Sequence, residues 1–126
     1  MRILAVDDSV SIRELVRLVL NATEGVAHVD TSDSADAALD LIKLNPYDLL
    51  IVDWFMHPKC GASLLAEIKQ QPQFANLPVI VLSADQENES RHLAKQLGAT
   101  GWMTKPFHPQ RLQDLVLSFH PNKRRN

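Results

Sequence analysis

The chain has 126 residues, of which 45% are hydrophobic and 22% charged, with a formal net charge of −2 at neutral pH. That length suits one domain with a real core, because domains cluster at about 100–150 residues and a chain of this size buries about two-thirds of its unfolded surface. The near-neutral balance gives no ground for nucleic-acid or anionic-membrane binding, and no apolar stretch approaches the roughly 20 residues of a membrane span.

The N-terminal run Arg2-Ile3-Leu4-Ala5-Val6 leads straight into two aspartates and does not resemble a signal peptide. Cys60 is the only cysteine, so no intrachain disulfide forms, and a reducing, cytoplasmic setting is expected. The one basic cluster, Lys123-Arg124-Arg125, reads as part of a solvated tail over residues 121–126.

Short apolar runs alternate with longer segments of helical period. Ile3–Val6 reads as a first strand and is followed by Asp7-Asp8-Ser9. Ile12, Leu15, Val16, Val19 and Leu20 then recur at i, i+3, i+4, i+7 and i+8, one face of an amphipathic helix. Ala27–Val29 is a weaker second strand. Ser34 is placed to cap a helix whose face is Ala35, Ala38, Leu39 and Ile42. Leu49–Val52 is a third strand, ending at Asp53, and Leu64, Leu65 and Ile68 form a helical face before Pro72. Val79–Leu82 is a fourth strand, ending at Ser83. Leu93, Ala94 and Leu97 form a fourth helical face, stopped by Gly98. A short strand at Trp102-Met103 precedes Lys105-Pro106. A last helix opens near Pro109, carries Leu112, Leu115, Val116 and Phe119, and closes before Pro121.

Apolar runs without polar alternation are what strands buried on both faces of a parallel sheet require. The order (βα)₅ therefore predicts an α/β, doubly wound, five-stranded parallel sheet with helices on both faces. One domain over residues 1–120 is expected, with no output domain in the sequence.

In open α/β sheets, ligands bind at the carboxyl ends of the strands. Reading there gathers Asp7, Asp8, Asp53, Ser83 and Lys105 at one edge. Each alone is weak, since an Asp or Ser after a strand commonly caps the next helix. Together they make a coherent chemistry. Three carboxylates in mutual reach repel and raise one another's pKa. Mg²⁺ resolves this with one or two carboxylates, waters and phosphate oxygens, leaving one carboxylate free to act as nucleophile. Lys105 offers a fixed cation and Ser83 a hydroxyl donor for phosphoryl oxygens. The product such a set favours is an aspartyl phosphate.

In its motifs Val6-Asp7-Asp8-Ser9, Ile51-Val52-Asp53, Leu82-Ser83-Ala84 and Lys105-Pro106-Phe107, the chain resembles the response-regulator receiver domains, above all the single-domain chemotaxis (CheY-like) members. The likeness runs from Ile3 to about Phe119. It implies strand order 2-1-3-4-5, Asp53 as phospho-acceptor, and Mg²⁺ held by Asp8, by Asp7 largely through water, by Asp53 and by the backbone carbonyl of Phe55. It further implies that Ser83 and Lys105 contact the phosphoryl group, that Lys105-Pro106 is cis, and that Ser83 and Trp102 form the switch. Trp102 stands where the family carries an aromatic that swings inward on activation; its other reading is a partly exposed surface indole. Gly98-Ala99 matches the family's turn into strand five.

Some positions depart from the pattern. Met56 and Gly61 hold their places, but His57 takes the family's proline slot and Pro58 follows it, which alters the loop over the site. Phe55 is bulky for its position and is expected to shade the phosphoryl group from water. His57 reads as a solvent-exposed loop residue, and the other histidines show no zinc spacing. Cys60 reads as packing, with a thiol of lowered pKa at a helix start as the competing reading.

The resemblance implies a stand-alone regulator of a two-component relay, not a turnover enzyme. It would receive its phosphoryl group from a histidine kinase or phosphotransfer protein and signal to a downstream target through the surface of helix four, strand five and helix five, with chemotaxis the suggested process. A monomer is expected, dimerising weakly at most on activation. Three rivals stand beside this reading. An aspartate-nucleophile phosphatase would carry Asp-x-Asp after its first strand, and a flavodoxin-type binder would carry a phosphate loop there. A degenerate receiver serving only as an interaction module would lack part of the acidic set.

Overall fold

The computed structural model describes residues 1–84 and 88–121. The apolar runs become five parallel strands, β1 (Arg2–Val6), β2 (His28–Ser32), β3 (Leu49–Asp53), β4 (Val79–Ser83) and β5 (Gly101–Thr104). They form one sheet in the order β2-β1-β3-β4-β5, as the resemblance implied. The helices are α1 (Val10–Asn21), α2 (Ala35–Leu44), α3 (Gly61–Gln70), α4 (Asn88–Gln96) and α5 (Pro109–Leu117).

The strands' twofold alternation divides the core between the two faces of the sheet. Ile3, Ala5, Leu49, Ile51, Ile80 and Leu82 pack against Val16 and Leu20 of α1 and Leu112 and Val116 of α5. Leu4, Val6, Leu50 and Val52 pack on the opposite face against Ala38 and Ile42 of α2 and Leu64, Leu65 and Ile68 of α3. With both faces covered, β3 and β4 are buried from end to end.

Local chemistry sets the helix ends. Ser9 and Ser34 cap α1 and α2, their side chains accepting the amides of Ile12 and Ala37. At the end of α4, Gly98 adopts φ +108°. The amides of Gly98 and Ala99 turn back to the carbonyls of Lys95 and Ala94 at 3.1 and 2.9 Å, a Schellman closure.

The structure corrects several sequence expectations. β2 covers His28–Ser32, beyond the apolar Ala27–Val29, because it is an edge strand fixed by polar partners. The Arg17 guanidinium donates to Thr31 Oγ1 at 2.6 Å, and Asp30 accepts from Tyr47 Oη at 2.6 Å and from Arg2 at 3.4 Å. Leu15 and Leu93, assigned to buried helical faces, are exposed, while Ala94 carries the α4 contact. A 3₁₀ turn at Pro72–Phe74 was not foreseen; the Lys69 ammonium braces the chain after it by donating to the carbonyls of Phe74, Ala75 and Leu77. The basic cluster Lys123-Arg124-Arg125 lies outside the described residues. Among those described, no helix is long and apolar enough to cross a membrane.

Asp30 ties the edge strand down. Burial disfavours its charge, but the hydrogen bonds of Tyr47, His28 and Arg2 more than offset this and hold the carboxyl below its ordinary value. A depressed carboxyl stabilises the fold above its unfolded pKa and loses that contribution as pH falls through the folded value. Asp30→Asn is therefore expected to cost about 1–2 kcal/mol at neutral pH. Urea denaturation should show that cost shrinking progressively as pH falls below about 3.9; a loss that stays equal across that range contradicts the assignment.

Candidate functional site

Strand register brings the polar residues together. β1 pairs with β3 through Val6 and Val52, so Asp7 and Asp53 emerge side by side at the carboxyl edge. β3 pairs Asp53 with Leu82, and β4 pairs Ser83 with Thr104. This sets Ser83 and then Lys105 along the same edge, where the Lys105 amide donates to the Ser83 carbonyl at 2.8 Å.

Asp7, Asp8 and Asp53 each present a carboxylate oxygen, and these oxygens lie within 4.8 Å of one another. Asp7 and Asp53 are buried and Asp8 is exposed, so the cluster opens to solvent on one side. Asp7 Oδ1 accepts the Ser9 amide at 2.9 Å, and its other oxygen meets the Lys105 ammonium at 2.8 Å. The same ammonium stands 3.2 Å from Asp53 Oδ1, which also accepts the Phe55 amide at 3.3 Å.

One ammonium does not balance three carboxylates. Burial, together with the Asp7 charge, pushes Asp53 up to about 6 despite the opposing pull of Lys105 and the Phe55 amide. Burial works against the Lys105 charge, yet Asp7 and Asp53 more than compensate and hold its pKa above the ordinary lysine value. Asp53 is thus poorly solvated, its ionised form disfavoured relative to a free carboxyl, and beside a fixed cation.

The donor set fits a hard divalent ion. Mg²⁺–oxygen bonds of about 2.0–2.1 Å place opposite ligands about 4.2 Å apart, and all-oxygen donors on an open cluster suit it. The three oxygens, all within 4.8 Å of one another, are close enough to converge on one such ion.

Ser83 is fully buried at the end of β4. Lys105-Pro106 is cis, as the resemblance implied, and His57-Pro58 is cis as well, which the sequence reading did not anticipate. The Phe55 side chain is 54% exposed. His57 is exposed, in line with the loop reading. The packing role expected of Cys60 is not found. Cys60 is exposed at the N-cap of α3, and its thiol lies below the usual range because of hydrogen bonding to Ser63 and neighbouring amides.

Trp102 sits outside the acidic cluster. Its indole packs on that of Trp54, the residue after Asp53, with ring centroids 5.7 Å apart at 59°. The indole is half-buried, and its Nε1 is buried without a hydrogen-bond partner. Arg91 of α4 lies 6.0 Å over the same ring.

Sequence reasoning missed three contributors. Trp54 lies beneath Trp102. Arg13 of α1 donates to the Asp7 carbonyl at 2.8 Å. Lys59 binds acidic residues of α2 and α3. Trp54 was detectable as a bulky apolar residue after a buried strand; the other two depend on how helices dock and left no local pattern.

The chain resembles known proteins along nearly its whole length. Residues 3–117 match the response regulator receiver domain family. The chemotaxis protein CheY-3 of Vibrio cholerae is 31% identical over 114 residues, 90% of this chain and 87% of that protein. The phosphate regulon transcriptional regulatory protein PhoB of Escherichia coli is 34% identical over 88% of this chain, but this chain spans only 48% of it. The crystal structure of Vibrio cholerae chemotaxis protein CheY4 superposes with a TM-score of 0.88 at 30% identity, covering 94% of this chain and 97% of that one. The chain belongs to the response regulator receiver domain family.

Proposed function

We propose that this protein is a phosphorylation switch of a two-component relay that accepts a phosphoryl group on Asp53. The observation that carries this reading is the position of Asp53, a buried carboxylate at the end of a central strand that shares the Lys105 ammonium with Asp7 and clusters with Asp7 and Asp8. Asp7, Asp8, Asp53 and the backbone carbonyl of Phe55 would hold Mg²⁺, which supplies charge neutralisation to an incoming phosphoryl group.

Its donor is a phosphohistidine of a histidine kinase or phosphotransfer protein. A carboxylate oxygen of Asp53 attacks phosphorus, the phosphorus–nitrogen bond breaks, and the leaving imidazole takes up a proton. Lys105 pairs with a phosphoryl oxygen as its contact with Asp53 Oδ1 is given up, and the Ser83 hydroxyl moves onto another. These steps leave the protein itself phosphorylated rather than releasing a transformed substrate, which supports a signalling role.

The output leaves through Trp102 and the α4–β5–α5 surface. There a cavity of about 330 Å³, lined by Arg91, Ala94, Lys95, Thr100, Gly101 and Trp102, combines two cations with an apolar floor. Phosphorylation acts by biasing two populated arrangements of that surface. End-to-end likeness to a chemotaxis protein supports chemotaxis as the process.

Incubation with Mg²⁺ and a small-molecule phosphodonor should add one phosphoryl group by intact mass, with none on Asp53→Asn and none without the metal. No addition to the wild-type protein, with Mg²⁺ bound, would instead support a receiver used only as an interaction module. The exposed Phe55 beside the acceptor is expected to screen the phosphoryl group from water. Phe55→Asn should then shorten the phosphorylated half-life several-fold, and an unchanged half-life removes Phe55 from the account.

A further inference from the structure

The turn from β3 into α3 is fixed by burial at both ends. Met56 is buried, and the Gly61 amide donates to the Trp54 carbonyl at 3.0 Å. A Cβ on Gly61 would collide with the Asp53 carbonyl oxygen and the Trp54 Cα, so α3 begins hard against the acceptor strand. Between these anchors His57, Pro58 and Cys60 are exposed. Lys59 reaches out of this stretch to two helices. Its ammonium donates to Glu67 Oε1 of α3 at 2.7 Å and to Asp36 Oδ1 of α2 at 3.1 Å.

A single exposed ion pair contributes little. Here one ammonium serves carboxylates on two helices and so cross-links three segments of chain. The turn it tethers also carries Phe55, whose amide already bonds Asp53 Oδ1.

We propose that Lys59 is a positioning residue for the divalent-cation site, holding the turn so that the Phe55 carbonyl stays beside the three aspartates. This rests on the reading of Asp7, Asp8, Asp53 and Phe55 as Mg²⁺ ligands. Removing Lys59 has two consequences of opposite sign. Losing one positive charge from the protein strengthens its Coulomb attraction for a divalent ion. Losing the tether loosens the exposed stretch between the Met56 and Gly61 anchors and, through it, the adjoining Phe55 carbonyl, and weakens the site, as removal of groups that orient metal ligands does. The sign of the change in affinity therefore separates positioning from plain charge.

Wild type, Lys59→Met, Lys59→Gln, Lys59→Arg and Asp8→Asn would be titrated with Mg²⁺, using the emission of Trp54 and Trp102 and, independently, calorimetry. Metal-free thermal midpoints would be recorded for each. The expected result is binding roughly three- to tenfold weaker in Lys59→Met and Lys59→Gln, at midpoints close to wild type, with Lys59→Arg near wild type and Asp8→Asn without measurable binding. Unchanged or tighter binding in both neutral variants overturns the positioning role while the ligand reading stands. A wild-type protein that binds no Mg²⁺, or an Asp8→Asn variant that binds it normally, overturns the ligand reading and the role of Lys59 with it.

Discussion

The arrangement at the sheet edge turns on one ammonium shared between two buried carboxylates. Lys105 lies 2.8 Å from Asp7 and 3.2 Å from Asp53, while Asp8 adds a third negative charge nearby. Both partners are desolvated, so their attraction is strong but the cost of burying them is strong too. Burial of Asp53, with the Asp7 charge added to it, raises its pKa despite the opposing pull of Lys105. A site in that condition favours the arrival of further positive charge and holds a carboxylate that gains by being neutralised or derivatised.

The rest of the fold serves to keep that group assembled. Parallel pairing sets Val6 beside Val52 and Ser83 beside Thr104, so the residues that follow cannot drift from one another without breaking the central ladder. Core packing on both faces makes the ladder rigid, with β3 and β4 wholly buried. The segments that would respond to the proposed phosphorylation are less buried. Trp54 links the acceptor to Trp102 on half-buried β5, and Trp102 in turn lies under Arg91 on α4. A change at Asp53 thus has a short, contiguous route to a surface with cationic character.

Much of this was legible in the amino-acid order. The apolar runs fixed the central strands because fully buried strands tolerate almost no polar residue, and the group Asp7, Asp8, Asp53, Ser83 and Lys105 followed from the rule that sites gather at strand ends. What escaped is equally instructive. His28–Ser32 carries no apolar pattern because an edge strand can be secured by side-chain hydrogen bonds, here those of Asp30 and Thr31. Leu93 was misassigned because it and Ala94 are neighbours about 100° apart around the helix, and the 3.6-residue period does not say which of them meets the sheet; the smaller Ala94 does. Lys59 and Arg13 act across elements distant in sequence, and their partners become visible only when the helices are docked.

A divalent cation would complete the under-compensated carboxylate cluster around Asp53. The most direct test is to follow the Asp53 carboxyl carbon by NMR through a pH titration, with and without Mg²⁺. Titration near pH 6 is expected in the metal-free protein, with a marked fall in that midpoint when Mg²⁺ is bound. A midpoint at the ordinary carboxylate value of about 3.9, unmoved by Mg²⁺, would contradict it.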